Sequence, residues 1–176
     1  MLAGWFLADA VIGAELDETP GREETPRQLA LRLAAEKAAS VAAGQPDAFV
    51  LAADTVVAVG RRILPKVETP EEGLRCLALL SGRAHRVLTG IAAIAPGGER
   101  RAQRLVESRV WFKRLSQAET AHYLASGEGQ GKAGGYAIQG LAGGFVMRLQ
   151  GSYSGIVGLP LYETRNLLNG LGYQRL

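Results

Sequence analysis

Cysteine occurs once in these 176 residues, at Cys76, and histidine only twice, at His85 and His122. A single thiol closes no internal disulfide, and no Cys- or His-rich set exists from which a zinc site is built. No stretch reaches the roughly 18 uncharged apolar residues of a membrane span. The opening MLAGWFLADAVIGA has the apolar look of a signal-peptide core, but it lacks a basic leader and Asp9 interrupts it, so secretion is not expected. Charge of one sign is scarce too: 20 Lys and Arg against 17 Asp and Glu leave +3. The arginines are scattered and carry no RNA-binding or zinc-finger pattern, so no nucleic-acid partner is expected. The G-x-x-x-x-G-K-[ST] phosphate loop is absent as well. What remains is a reduced, cytoplasmic chain, long enough for one domain with a core of its own.

Three helix starts share one chemistry. Thr25-Pro26-Arg27-Gln28, Thr69-Pro70-Glu71-Glu72 and Ser116-Gln117-Ala118-Glu119 each fit a capping box, in which hydroxyl and carboxamide or carboxylate satisfy one another's orphan N–H groups. Pro26 and Pro70 fall at the first helical position, where a missing N–H costs nothing. With Gly44, Gly82 and Gly127 as stops, helices are predicted over 26–43, 70–81 and 116–126. Residues 49–59 read as a buried strand followed by a turn at Gly60-Arg61-Arg62. Residues 85–95 and 104–112 read as a hairpin about Pro96-Gly97-Gly98, 145–149 as a further strand, and Pro160 as the start of a last helix. Helices alternating with strands imply an α/β or α+β layered sheet.

Three features bear on chemistry. Asp54 stands inside an otherwise apolar strand, where a carboxylate is expensive unless it is paired or binds a metal. The alternative is that the strand ends at Ala53 and Asp54 caps a turn. Asp17-Glu18 adds a nearby acidic pair, which on its own reads as a solvated loop. Lysine, used four times against sixteen arginines, recurs at Lys37, Lys66 and Lys132. Each alone reads as a surface residue, but together with Asp54 they suit an anion site with a metal-binding acid. The glycine-rich run from Gly127 to Gly140 permits close backbone approach and an anion-binding nest of N–H groups. Gly158-Leu159-Pro160 leads into another helix N-terminus.

Taken in order, Glu24-Thr25-Pro26, Arg32-Leu33-Ala34, Lys37-Ala38, Ala53-Asp54-Thr55-Val56-Val57, Leu64-Pro65-Lys66, Leu80-Ser81-Gly82-Arg83, His85-Arg86-Val87-Leu88-Thr89-Gly90, Lys132 through Gly140 and Gly158-Leu159-Pro160-Leu161 resemble the Maf family of nucleoside triphosphate pyrophosphatases. The resemblance runs from about Asp17 onward. It implies an α/β, Maf/ITPase-like layered sheet with flanking helices and an active-site cleft between two lobes. It also implies hydrolysis of a nucleoside triphosphate to the monophosphate and pyrophosphate with Mg²⁺ or Mn²⁺. The Ile138-Gln139-Gly140 form resembles the branch acting on dTTP and UTP, with modified pyrimidine nucleotides as further substrates, rather than the branch linked to 7-methyl-GTP.

By motif match, Asp54 would be the catalytic proton acceptor. Thr55 and Gln139 would fall at positions linked to base choice, and Lys37, Lys66 and Lys132 would contact substrate. Asp17, Glu18 and Asp54 would hold the metal, and the family suggests a homodimer. The family's first strand and Ser-x-Ser-Pro-Arg-Arg turn have no counterpart here, which leaves two readings open. Either the start codon is placed downstream of the true one, or the chain is shortened and has become an impaired nucleotide-binding or cell-division regulatory protein. Val67, Gly131 and Gly155 replace a proline, an acidic residue and an asparagine usual in the family.

Overall fold

The computed structural model describes residues 8–174; residues 1–7, where the apolar opening segment begins, lie outside them. All three capping boxes form. Thr25 accepts the Gln28 N–H at the start of α1 (Pro26–Ala43), Thr69 that of Glu72 before α2 (Pro70–Leu80), and Ser116 that of Glu119 before α3 (Gln117–Ser126). In each, the third residue's side chain returns a bond to the cap's own N–H. The helix bounds follow from these local bonds.

The strands are β1 (Val50–Val59), β2 (Arg62–Leu64), β3 (Ala84–Ile94), β4 (Arg101–Phe112) and β5 (Val146–Gln150). They form one sheet in the order β2-β1-β3-β4-β5, and every neighbouring pair is antiparallel. Tight turns at Gly60–Arg61 and over 95–100 join β1 to β2 and β3 to β4, while α2 lies between β2 and β3 and α3 between β4 and β5. The class is therefore α/β with the helices flanking an antiparallel sheet. Two short elements carry no periodic signal in the sequence: a 3-10 helix at Leu141–Phe145 and α4 (Tyr153–Val157). The last helix, α5 (Leu161–Gly170), begins after Pro160.

On one face of the sheet, α1 buries Leu29, Leu33, Ala34 and Ala38 against Val50, Val56, Leu88 and Ala92. Gly90 lets the helix lie directly on β3, since a Cβ there would overlap the Ala30 carbonyl. On the other face, Val57, Val87, Val110 and Phe112 meet Leu77 and Leu80 of α2, Tyr123 of α3, and Tyr136. Beside them Leu168 of α5 packs with Ala93 and Ala95. Because β2 pairs with β1 only over Val57–Val59, the outer edge of β1 from Val50 to Val56 has no strand partner among the described residues. Asp54 lies in that stretch.

Candidate active site

Alternation along β1 sends Asp54 toward α1 and Thr55 toward the opposite face. At the open edge both line one cavity of about 290 Å³. Lys37, two turns beyond Leu29 on α1, reaches in from the helix, and its Nζ lies 2.5 Å from Asp54 Oδ1. The same ammonium lies 2.6 Å from Glu18 Oε1, and the second Glu18 oxygen pairs with Lys66. The result is one chain of charges, Asp54–Lys37–Glu18–Lys66.

Its electrostatics follow exposure, since 5% of the Asp54 side chain but 18% of the Lys37 side chain is open to solvent. Burial pushes the Asp54 carboxyl above its ordinary value, and the Lys37 hydrogen bond opposes that only in part. Burial also works against the Lys37 ammonium, yet its bonds to Asp54 and Glu18 prevail and keep it charged. For Glu18, burial raises the carboxyl pKa, but the two lysines outweigh it and hold the group below its usual range.

The segment that carries Glu18 is tied to α1 by Arg32. The Arg32 guanidinium takes Glu24 in a fork, Nε to Oε1 at 2.7 Å and Nη2 to Oε2 at 2.9 Å, and Nη2 also donates to the Thr19 carbonyl at 3.2 Å. Asp17 does not join the cluster. Its Oδ1 accepts the Thr19 N–H at 2.9 Å, and it lines a separate open groove with Arg32. Adjacent residues of an irregular segment face different ways, and only Glu18 faces Asp54. No group of three or more His, Cys, Asp or Glu able to hold a metal occurs among the described residues. Two carboxylates, Asp54 and Glu18, nevertheless suit a hard divalent ion such as Mg²⁺, which ordinarily takes one or two carboxylates and completes its shell with phosphate oxygens and water.

The glycine-rich segment is stitched to the chain after β2. Gly131 N–H donates to Val67 O at 2.7 Å, Val67 N–H to Lys132 O at 3.2 Å and Gly134 N–H to Pro65 O at 2.9 Å. Gly134, at φ +67°, fits against Val57 where a Cβ would crowd that side chain. These N–H groups are spent inside the protein, so the segment is not the open anion nest that its glycines suggest. What it gives the cavity is side chains. Lys132 adjoins Lys66 through the Lys66–Ala133 bridge, and Gln139 is exposed with its amide uncommitted among the described residues. Every substrate-binding residue expected from the sequence therefore lines this cavity: Lys37, Thr55, Lys66, Lys132 and Gln139.

Other residues at the cavity carry weaker sequence signals. Val57, Val87, Ile138 and Ile156 form an apolar lining, and Tyr136 joins them with its hydroxyl 2.8 Å from His85 Nε2. Burial pushes His85 down to about 4 and the Tyr136 phenol well up, so the pair is neutral. Behind Thr55 stands Thr89, buried on β3 and 3.0 Å away between hydroxyl oxygens. The signal for it was a polar residue in an apolar strand, as with Asp54.

A family model described as Maf-like protein matches residues 2–171. The chain is 68% identical over 166 residues to the dTTP/UTP pyrophosphatase of Caulobacter vibrioides, covering 94% of this chain and 86% of that protein. It is 65% identical over 174 residues to the dTTP/UTP pyrophosphatase of Maricaulis maris, covering 98% and 83%. A third, from Mesorhizobium japonicum, is 60% identical over 172 residues, covering 94% and 82%.

Proposed function

The chain belongs to the Maf-like family, and from that premise we propose that it hydrolyses dTTP and UTP to the nucleoside monophosphate and pyrophosphate, as the names of its relatives describe. The observation that carries the reading is the buried Asp54–Lys37 pair at the open edge of β1, extended by Glu18 to Lys66. In the reaction a water oxygen attacks the α-phosphorus, the bond to the bridging oxygen breaks, and pyrophosphate leaves. Asp54 accepts the proton of that water. An exposed aspartate is a weak base at neutral pH, and the burial that raises Asp54 makes it a better one.

Lys37, Lys66 and Lys132 set three cations against the triphosphate's charge. In the free protein Glu18 is the counter-ion for two of them, so the phosphates and Glu18 compete for the same ammonium groups. Mg²⁺ or Mn²⁺ would be held by Asp54 and Glu18 together with phosphate oxygens, and when bound it neutralises charge and orients water. Thr55 and Gln139 meet the base above the apolar lining. No helix among the described residues is long and apolar enough to cross a membrane, and the proposal includes a cytoplasmic location and a homodimer.

The test is a panel of dTTP, UTP, CTP, ATP and GTP with and without Mg²⁺, with products separated by ion exchange. The expected result is equimolar monophosphate and pyrophosphate, fastest from dTTP and UTP. Release of orthophosphate with a nucleoside diphosphate would contradict it.

A further inference from the structure

Thr55 and Thr89 face one another across β1 and β3, and their hydroxyls form a chain with a fixed direction. The Thr89 hydroxyl lies 2.7 Å from the carbonyl oxygen of Gly155, in α4. A carbonyl only accepts, so the one Thr89 proton is committed to it. The bond between the two threonines, 3.0 Å long, must then use the Thr55 proton. Thr55 is left with lone pairs alone to offer the cavity it lines. Gly155 is itself held, because its carbonyl also takes the Gly158 N–H at 3.0 Å and its N–H donates to Ser152 Oγ. Thr89 is 1% exposed and touches no ligand space of its own.

We propose that Thr89 is a specificity-determining positioning residue, which fixes Thr55 as a pure hydrogen-bond acceptor and so selects pyrimidine bases that carry a proton on ring N3. Uracil and thymine present an N3–H donor, whereas cytosine presents a lone pair at N3. A free threonine hydroxyl rotates to donate or accept and would serve both. The exposed amide of Gln139 turns over in the same way, so it does not discriminate unaided. An acceptor that cannot rotate is repelled by cytosine N3 and leaves that contact unpaired. This inference rests on the proposed pyrimidine nucleotide substrate.

The experiment compares Thr89→Val and Thr89→Ser with the unmodified protein, using UTP and CTP for turnover and their α,β-imido analogues for binding by calorimetry. Thr89→Val keeps the shape and removes the hydroxyl. It is expected to narrow the UTP-over-CTP preference by about 5- to 10-fold, mainly through KM and in the analogue Kd ratio. Thr89→Ser keeps the relay and is expected to hold the preference within about twofold of the unmodified protein. Thr89→Ala replaces the valine variant if circular dichroism shows that the latter does not fold. Loss of the hydroxyl with an unchanged UTP-to-CTP ratio, even if overall activity falls, overturns the proposal. An unmodified protein that binds the UTP analogue preferentially but turns over neither nucleotide refutes the pyrophosphatase reading, and the analogue ratio then judges Thr89 alone. Binding of neither analogue overturns both.

Discussion

Asp54 is held inside β1 at a cost in desolvation that Lys37 offsets only in part. Removing the partner therefore exposes the cost. Lys37→Met is expected to destabilise the fold by about 2–4 kcal/mol in urea denaturation, because the buried carboxylate loses its pair. Combining it with Asp54→Asn should recover much of that loss without restoring turnover, a non-additivity that a surface lysine would not show. His85 offers a second test at this scale. Its folded pKa of about 4 lies below the unfolded value of 6.5, so between those pH values the unfolded state binds more protons. Stability from this group is complete above about pH 6.5 and is lost as pH falls toward 4, by up to about 3 kcal/mol. In His85→Gln, which keeps a neutral partner for Tyr136, the urea midpoint should fall less over that interval. An equal fall would show that His85 titrates normally.

Elements matter through the way they deliver those residues. The α1 helix brings Lys37 to Asp54 and, through Arg32, holds the segment that carries Glu18. Its seat on β3 depends on Gly90, directly beneath Ala30. Gly90→Ala must therefore lift the helix backbone or bend the strand. A destabilisation of about 3 kcal/mol or more is expected, with a fall in kcat/KM measured below the unfolding transition, since Lys37 moves with the helix. The three capping boxes were legible because capping is a bond between residues three apart, written entirely in local sequence. The short α4 and the 3-10 helix were not, for neither is long enough to show a period, and their places come from packing against the sheet. Glycines misled in one respect. The run from Gly127 to Gly140 looks like an open cradle, yet its N–H groups at Gly131 and Gly134 bind the chain after β2.

Across the whole molecule, the site draws on segments far apart in sequence, from Glu18 and Lys37 through β1, Lys66, the glycine-rich loop and α4. Asp54 could be picked out beforehand because a carboxylate in an apolar strand needs a reason, and Lys37 and Lys66 because lysine is scarce beside arginine in this chain. Which of Asp17 and Glu18 turns toward Asp54 could not, since that depends on the Arg32 contacts with Glu24 and Thr19. Nor could the strand order, which depends on long-range pairing, or the direction of the Thr55–Thr89–Gly155 chain, which exists only once β1, β3 and α4 meet. In the proposed pyrophosphatase reaction Asp54 takes the proton from the attacking water. Asp54→Asn isolates that role, because Glu18 still pairs Lys37 and the shape of the side chain is kept. With UTP and Mg²⁺, the unmodified protein should release UMP and pyrophosphate in equal amounts. The variant should lose roughly 10²–10⁴-fold in kcat while remaining folded and binding the α,β-imido analogue of UTP. Pyrophosphate release by a folded Asp54→Asn at a rate near that of the unmodified protein would contradict the assignment.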